Sequence, residues 1–179
     1  AKVLRTSRTH VIGFVTDEIV TTPFAVNVVR GAQDAAWEQG KLLLLINTNN
    51  NPDLLTTAIE TLLDRQVEGI IYAAMHHQQV TLPDSIYEMP SVLVDCFIAD
   101  GRLPSVVPDE VAAGYTATSL LIAKGHRRIG LINLTVAIPA QVGRQQGYRQ
   151  ALIDHGIGYD ENLVCHRYGE ADAGYDGAL

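Results

Sequence analysis

The sequence predicts an α/β fold in which parallel sheets are flanked by helices. Short runs rich in Val, Ile and Leu alternate with segments whose apolar residues recur at helical spacing, which is the pattern of βαβ units. Several of the runs are apolar almost throughout, as strands covered on both faces are. A segment dense in Gly and Pro at 98–110 (IADGRLPSVVPDE) interrupts this alternation, which then restarts. These observations predict two lobes, at 10–107 and 108–179.

In the first lobe, the predicted strands are 10–16, 41–48, 67–74 and 90–95, and the predicted helices are 24–39 and one that begins at Pro52. Apolar residues recur at helical spacing on one face of the first helix, at Ala25, Val28, Val29, Ala32 and Ala36. Gly40 ends that helix, and Asn51 caps the next one. The second strand, KLLLLINT, is uniformly apolar, so we expect it to be buried on both faces.

In the second lobe, the predicted helices are 110–124 and 142–155, and the predicted strands are 128–133 and 162–167. The final residues, DAGYDGAL, resemble the first turns of another helix. A sheet usually has about five or six strands, whereas this lobe supplies only two. We therefore expect the chain to be a fragment of a longer protein.

The charge balance disfavours a nucleic-acid surface. The chain of 179 residues has a formal net charge of −7 and a pI near 5.2, whereas phosphate binding requires clustered Lys and Arg. No window approaches the ~18 apolar residues of a membrane span, and the basic start AKVLRTSRTH lacks the apolar segment of a signal peptide. These features predict no direct DNA binding, no membrane contact and a cytoplasmic location.

The sequence offers no cofactor or metal site and no catalytic motif. Cys96 and Cys165 match no metal or redox spacing, so reduced thiols are favoured over a disulfide. His76 and His77 are adjacent, and in a helix or a strand they would point in different directions. No phosphate loop, Rossmann glycine pattern, nucleophile elbow or metalloprotease helix is present. A binding protein is therefore predicted rather than an enzyme.

Candidate ligand-binding residues follow the predicted strands. In open parallel sheets, ligands lie beyond the carboxyl ends of the strands. The residues at those ends that could contact a ligand are Asp17, Met75, His76, Asp95, Asp109 and Asn133. Helix capping is an alternative role for Asp17 and Asp109. It suits Asp95 less well, because the residues after it do not resemble the start of a helix.

Arg144 and Phe24 are further candidates. Arg144 is predicted to open a helix, where the positive end of the dipole disfavours a cation, so a ligand would explain it. Its planar guanidinium can donate to vicinal hydroxyls or to a carboxylate, and a salt bridge or a solvent-facing side chain is the alternative. Phe24 suits stacking on a sugar-like ligand, with a core position as the alternative.

Several segments together resemble the effector-sensing core of LacI/GalR-family transcription regulators, a fold shared with periplasmic sugar-binding proteins. They are LRTSRTHVIGFVTD, PFAVNVVRGAQDAAWEQG, LLDRQVEGIIYAA, PSVVPDEVAAGYTATSLLIAKGHRRIGLIN and GRQQGYRQAL. The third is similar to the family's R-x-V-D-G-I-I region, with Glu68 for the usual Asp, and the last to its R-x-x-G-Y-x-x-A-L helix. Thr22 and Ala25 depart from the family, which commonly has Asn before the Pro and a second aromatic residue.

The resemblance implies an effector, a sugar or sugar derivative, held between the two lobes. It places Asp95 and Arg144 at positions that often hydrogen-bond the effector's hydroxyls and Phe24 at the rim, and Asp17 is a further candidate contact. It also implies a homodimer, to which KLLLLINT is expected to contribute, and operator DNA bound only through a preceding helix-turn-helix domain, with residues 1–9 as the remnant of the linker. A solute-binding protein of a sugar transporter is the alternative.

The resemblance also interprets the basic segment GHRRI, residues 125–129, as a turn between a helix and a strand. Gly125 ends the helix, and the basic residues suit the negative end of its dipole. Ile129 then begins a buried strand. The segment is therefore predicted to be structural rather than a phosphate site.

Overall fold

The computed structural model describes residues 9–18, 23–168 and 171–178. The strands are β1 (Val11–Thr16), β2 (Leu42–Asn47), β3 (Ile70–Gln79), β4 (Ser91–Phe97), β5 (Ser105–Val106), β6 (Leu131–Leu134) and β7 (Val164–Arg167). The α-helices are α1 (Pro23–Glu38), α2 (Pro52–Asp64), α3 (Glu110–Ala123), α4 (Pro139–Asp154) and α5 (Ala171–Ala178), with short 3-10 helices at Asp84–Glu88 and Glu161–Leu163. The chain divides into two compact units, one up to Val107 and one from Pro108. None of the described helices is long and apolar enough to span a membrane.

The first unit is a parallel sheet of five strands in the order β2-β1-β3-β4-β5. Its core contains side chains from the sheet and from α2 that are at most 2% exposed, among them Val15, Ile59, Leu62, Ile70 and Leu93. Gly13 of β1 makes room for Leu62 of α2, because a Cβ at Gly13 would lie 2.6 Å from the Leu62 Cδ1. The helix therefore packs directly on the sheet.

The helix signals read from the sequence are confirmed in this unit. In α1, the predicted apolar face coincides with the residues that are least exposed among those whose burial is described. Gly40 follows this helix with φ of +65°, a conformation that costs glycine little. The Asn51 side chain accepts hydrogen bonds from the backbone N–H groups of Asp53 and Leu54 and so caps α2.

The second strand is not buried on both faces, so that prediction is wrong. Among the described strands, β2 lies at one edge of the sheet, where it pairs with β1. Leu42, Leu44 and Leu45 are 61%, 37% and 40% exposed. A uniformly apolar strand indicates that its faces avoid water, but it does not specify which part of the protein covers them.

β3 and β4 extend beyond their predicted ends, because both strands bend and then pair again. The register shifts so that residues 74–77 of β3 lie opposite Asp95 of β4. Asp95 has φ of +56°, in the left-handed region that Asp enters more readily than most residues. Met75 and His76 therefore lie within β3, and Asp95 within β4, instead of following these strands as predicted.

The second unit pairs β6 with β7 in parallel and packs α3 against α4. Glycines bring these two helices into backbone contact. A Cβ at Gly114 would lie 2.2 Å from the carbonyl oxygen of Arg144, and a Cβ at Gly147 would lie 2.0 Å from that of Val111. The glycines therefore set how closely the two helices approach.

The GHRRI segment forms the predicted turn after α3. Gly125 has φ of +93°, which permits the reversal at the end of the helix. Arg127 Nη1 donates a hydrogen bond of 3.1 Å to the carbonyl oxygen of Ile122, at the negative end of the dipole. Ile129 is buried, although β6 begins only at Leu131. The local geometry therefore accounts for Arg127 without a ligand.

Candidate functional site

Asp17 follows β1 directly and links it to the irregular part of β3. Its Oδ1 accepts hydrogen bonds from the backbone N–H of Glu18 at 2.6 Å and of Met75 at 3.0 Å. Its Oδ2 lies 3.3 Å from the donating Nε2 of Gln78. Since α1 begins only at Pro23, Asp17 does not occupy the N-cap of that helix. The carboxylate is instead buried among donors at the carboxyl edge of the sheet.

Asp95 is a second buried carboxylate at this edge, 5% exposed. Burial raises the pKa of the Cys96 thiol to about 12, with smaller contributions from the charges of Asp17 and Asp95. Asp17 contacts Gln78 of β3, and Gln78 is the register partner of Cys96, which follows Asp95. The fold therefore brings the two predicted residues together within the first unit. The raised pKa keeps this thiol protonated at neutral pH, so it lacks the thiolate character of a nucleophile.

The environment of Asp17 opposes its ionisation. Burial raises the pKa of the Asp17 carboxyl above its ordinary 3.8, and the hydrogen bonds from Glu18 and Met75 act in the other direction. Burial, and then the charge of Asp17, also raise the pKa of the Tyr72 hydroxyl. At this edge, the carboxyl groups of Asp17 and Asp95 therefore lie near the protonated side chains of Tyr72 and Cys96. This arrangement suits hydrogen bonding rather than covalent chemistry.

Arg144 lies in the second unit, within α4 rather than at its start. The helix begins at Pro139, so the dipole argument used for Arg144 is wrong. The Arg144 Nε–H donates a hydrogen bond of 2.7 Å to Oε2 of Glu110. The side chain of Glu110 is 6% exposed and that of Arg144 is 47% exposed. The alternative role, a salt bridge, is therefore present, and the guanidinium still reaches solvent.

Asp109 and Asn133 have structural roles. Asp109 caps α3, since its side chain accepts a hydrogen bond of 2.9 Å from the backbone N–H of Ala112. Asn133 is buried within β6, and its Nδ2 donates to the carbonyl oxygen of Gln141 at 2.9 Å, which holds α4 against the strand. Capping was the alternative for Asp109, and the structure confirms it.

The remaining candidates do not form a site in the described part of the chain. His76 is exposed, whereas the ring of His77 meets that of Phe97 edge-on with centroids 5.8 Å apart. Within 9–18, 23–168 and 171–178, no group of three or more His, Cys, Asp or Glu could hold a metal ion. The side chain of Phe24 lies outside the described residues, so its stacking role stays a prediction.

Gln78 and Glu110 contact the candidate residues but were not predicted from the sequence. Gln78 lies beyond the predicted end of the third strand, and no local pattern extends a strand through a bend. Glu110 has the ordinary position of an acidic residue in the first turn of a helix. Its partner Arg144 is 34 residues away, so only the packing of α3 on α4 reveals the pair.

A groove of about 430 Å³ lies near the opposite edge of the first unit, beneath α1. Side chains from α1 and from the starts of β3 and β4 line it, including Ala32, Ala36, Ile70 and Val92. Its lining is mainly apolar and includes neither Asp17 nor Asp95. The carboxyl edge is therefore the better candidate site for a polar ligand.

Comparison with known proteins agrees with this architecture. Residues 9–172 match the family described as periplasmic binding proteins and sugar binding domain of the LacI family. The chain is 36% identical to the sucrose operon repressor of Escherichia coli over 139 residues, which cover 78% of this chain and 42% of the repressor.

Solved structures are similar as well. A Rhizobium etli protein described as a LacI-family transcriptional regulator has a TM-score of 0.78 and 29% identity, covering 90% of this chain and 57% of that chain. The transcriptional regulator CelR in complex with cellobiose has a TM-score of 0.69 and 27% identity, covering 95% and 54%.

The fold is that of a domain of the periplasmic-binding-protein class. With the family match over most of its length, the chain belongs to the LacI family of transcription regulators. It spans about half the length of the curated relatives it matches.

Proposed function

We propose that this chain is the effector-sensing core of a LacI/GalR-type transcription regulator, with a small polar metabolite as effector. The observation that carries this proposal is the pair of buried carboxylates, Asp17 and Asp95, at the carboxyl edge of the first unit. Carboxylate oxygens accept hydrogen bonds, and the hydroxyls of a sugar or sugar derivative can donate them. Similarity to repressors of sucrose and ribose operons supports the same class of ligand.

The second unit contributes Arg144 to this proposal. A guanidinium donates through several N–H groups in a fixed plane, which suits neighbouring hydroxyls. Phe24 is proposed to stack on the effector. The hydroxyls of a polyol both donate and accept hydrogen bonds, so they suit a guanidinium donor as well as a carboxylate acceptor.

We further propose that operator DNA is bound by a helix-turn-helix domain that precedes this segment, with residues 1–9 as its linker. The net charge of −7 supports DNA binding by a separate domain, because an acidic surface repels phosphates. Effector binding would control operator affinity by favouring one conformation of the regulator over another. Control of an operator also implies a cytoplasmic protein.

A homodimer is part of the same proposal. The exposed leucines of β2 lie on an edge strand, and Trp37 of α1 is 62% exposed. Apolar side chains exposed to this extent on an edge strand and a helix of one unit support a protein contact. A second copy of the regulator is the partner we propose for this surface.

Titration calorimetry of the full-length protein with sucrose, ribose, cellobiose and a set of nucleosides tests the proposed ligand class. We expect one of the sugars to bind and to change operator affinity in a mobility-shift assay. A sugar ligand without any operator binding would instead favour the solute-binding protein of a transporter. Residues 1–179 alone should give no operator-selective shift in the mobility-shift assay. Selective binding by this segment would contradict the proposal that a preceding domain binds the operator.

A further inference from the structure

Glu110 and Arg144 form a pair in which one member is buried and the other reaches solvent. The Glu110 side chain, at the first residue of α3, is 6% exposed, whereas Arg144 of α4 is 47% exposed. The 2.7 Å hydrogen bond joins Arg144 Nε to Glu110 Oε2. Because this bond uses Nε–H, the two terminal Nη groups take no part in it.

Backbone contact between the two helices fixes this pair. A Cβ at Gly143, the residue before Arg144, would lie 2.6 Å from the Cβ of Glu110. A Cβ at Gly114, one turn after Glu110, would lie 2.2 Å from the carbonyl oxygen of Arg144. Each partner therefore starts from a backbone position that the opposite helix determines, and the hydrogen bond to Glu110 then holds Nε of Arg144.

The pair also determines the net charge beside the Nη groups, where a ligand would bind Arg144. A buried carboxylate 2.7 Å from the guanidinium nitrogen offsets its positive charge, and water screens this pair less than it screens a pair at the surface. The Nη groups can still donate hydrogen bonds. An uncharged hydroxyl gains from them, whereas a phosphate dianion also meets the field of the buried carboxylate.

We propose that Glu110 is a positioning and specificity-determining residue, which orients Arg144 and offsets its charge so that the protein favours an uncharged polyol over its phosphate ester. This inference rests on the proposed function, because it takes Arg144 as an effector contact.

Two substitutions at Glu110 separate its effect on the orientation of Arg144 from the effect of its negative charge. Glu110→Gln keeps an oxygen that can accept from Arg144 Nε but removes the negative charge, whereas Glu110→Ala removes both. Glu161→Gln is the matched control, because it changes the net charge equally at an exposed residue before β7. Denaturant unfolding of each variant shows whether it is folded.

The binding test uses calorimetry of the full-length protein with two pairs of probes, sucrose with sucrose 6-phosphate and ribose with ribose 5-phosphate. We expect the wild type to prefer the uncharged member of the pair that it binds, and Glu110→Gln to reduce this preference by about tenfold or more. Glu110→Ala should weaken binding of the uncharged sugar by about tenfold. An equal preference in wild type and Glu110→Gln, or tighter binding of the ester by wild type, would overturn the inference.

A second measurement needs no sugar. In ¹⁵N-edited spectra, the Arg144 Nε–H of the wild type should resonate at low field and exchange slowly with water, and Arg144→Lys assigns the signal by removing it. Titration with inorganic phosphate should leave this signal unmoved in the wild type and shift it saturably in Glu110→Gln. An unprotected signal in the wild type, or equal responses to phosphate, would refute the role of Glu110. If no sugar binds but these results are obtained, the proposed ligand class fails, while the role of Glu110 in holding Arg144 and offsetting its charge stands.

Discussion

The carboxylate of Asp17 accepts a hydrogen bond of 3.0 Å from the backbone N–H of Met75, which is 58 residues further along the chain. This bond joins the end of β1 to the four residues of β3 that lie opposite Asp95. One buried side chain thus supports the bend that carries the carboxyl edge of the first unit. Its ionisation should therefore affect stability.

We expect the wild type to lose stability relative to Asp17→Asn as pH rises. The pKa of Asp17 is raised by burial, so the folded state binds its proton more tightly than the unfolded state does. Protonation of Asp17 stabilises the folded state fully below pH 3.8, the ordinary pKa of an Asp carboxyl. This stabilisation is lost as the pH rises through the raised pKa of the folded state. Urea unfolding of both proteins from acidic to neutral pH measures the difference, and the opposite slope would contradict the assigned environment.

Gly147→Ala should destabilise the second unit by about 3 kcal/mol, because the added Cβ collides with backbone atoms of α3 that cannot move aside easily. Gly31→Ala in α1 is the matched control, since no atom lies within 4 Å of the added Cβ. That change should stabilise the protein by about 0.5 to 1 kcal/mol through helix propensity. Chemical denaturation of both variants tests the contrast, and equal effects would contradict the close packing of α3 on α4.

Asp95→Asn and Arg144→Ala should each weaken effector binding by about ten- to a hundredfold, because each removes a charged hydrogen-bonding group. Asparagine also tolerates the positive φ at position 95, so loss of binding there reports on charge rather than on strain. Arg144→Ala leaves the buried Glu110 without this partner, so its unfolding must be measured beside its affinity. Titration with the sugar identified by calorimetry is the readout. Wild-type affinity in both variants would exclude them as effector contacts.

Leu42→Lys should weaken the dimer of the full-length protein, because it places a charge on an exposed apolar edge strand. Leu54→Lys is the control, since Leu54 of α2 is likewise exposed, at 40% against 61% for Leu42, but lies on a helix rather than on the edge strand. Sedimentation should show dissociation at higher concentration for the first variant than for the second. If both variants sediment as the wild type does, β2 is not part of the interface.

The sequence by itself determined the features whose signals lie within a few residues. The apolar spacing of α1, the Asn51 cap of α2 and the Gly125 turn after α3 each depend on neighbouring residues, and all three were predicted. The α/β class follows from the same local patterns, because alternating strand and helix periods leave few other arrangements. The position of Asp17 directly after β1 was also predicted, whereas Asp95 lies within β4 rather than after it.

Only the tertiary structure decided which strands meet and which side chains pair. KLLLLINT has the composition of a central strand, yet β2 is an edge strand among those described, because strand order depends on distant partners. The bend opposite Asp95 arises from a register shift between two strands, which neither strand encodes alone. Glu110 reaches Arg144 because glycines on both helices allow backbone contact, and such a contact exists only once α3 and α4 have packed.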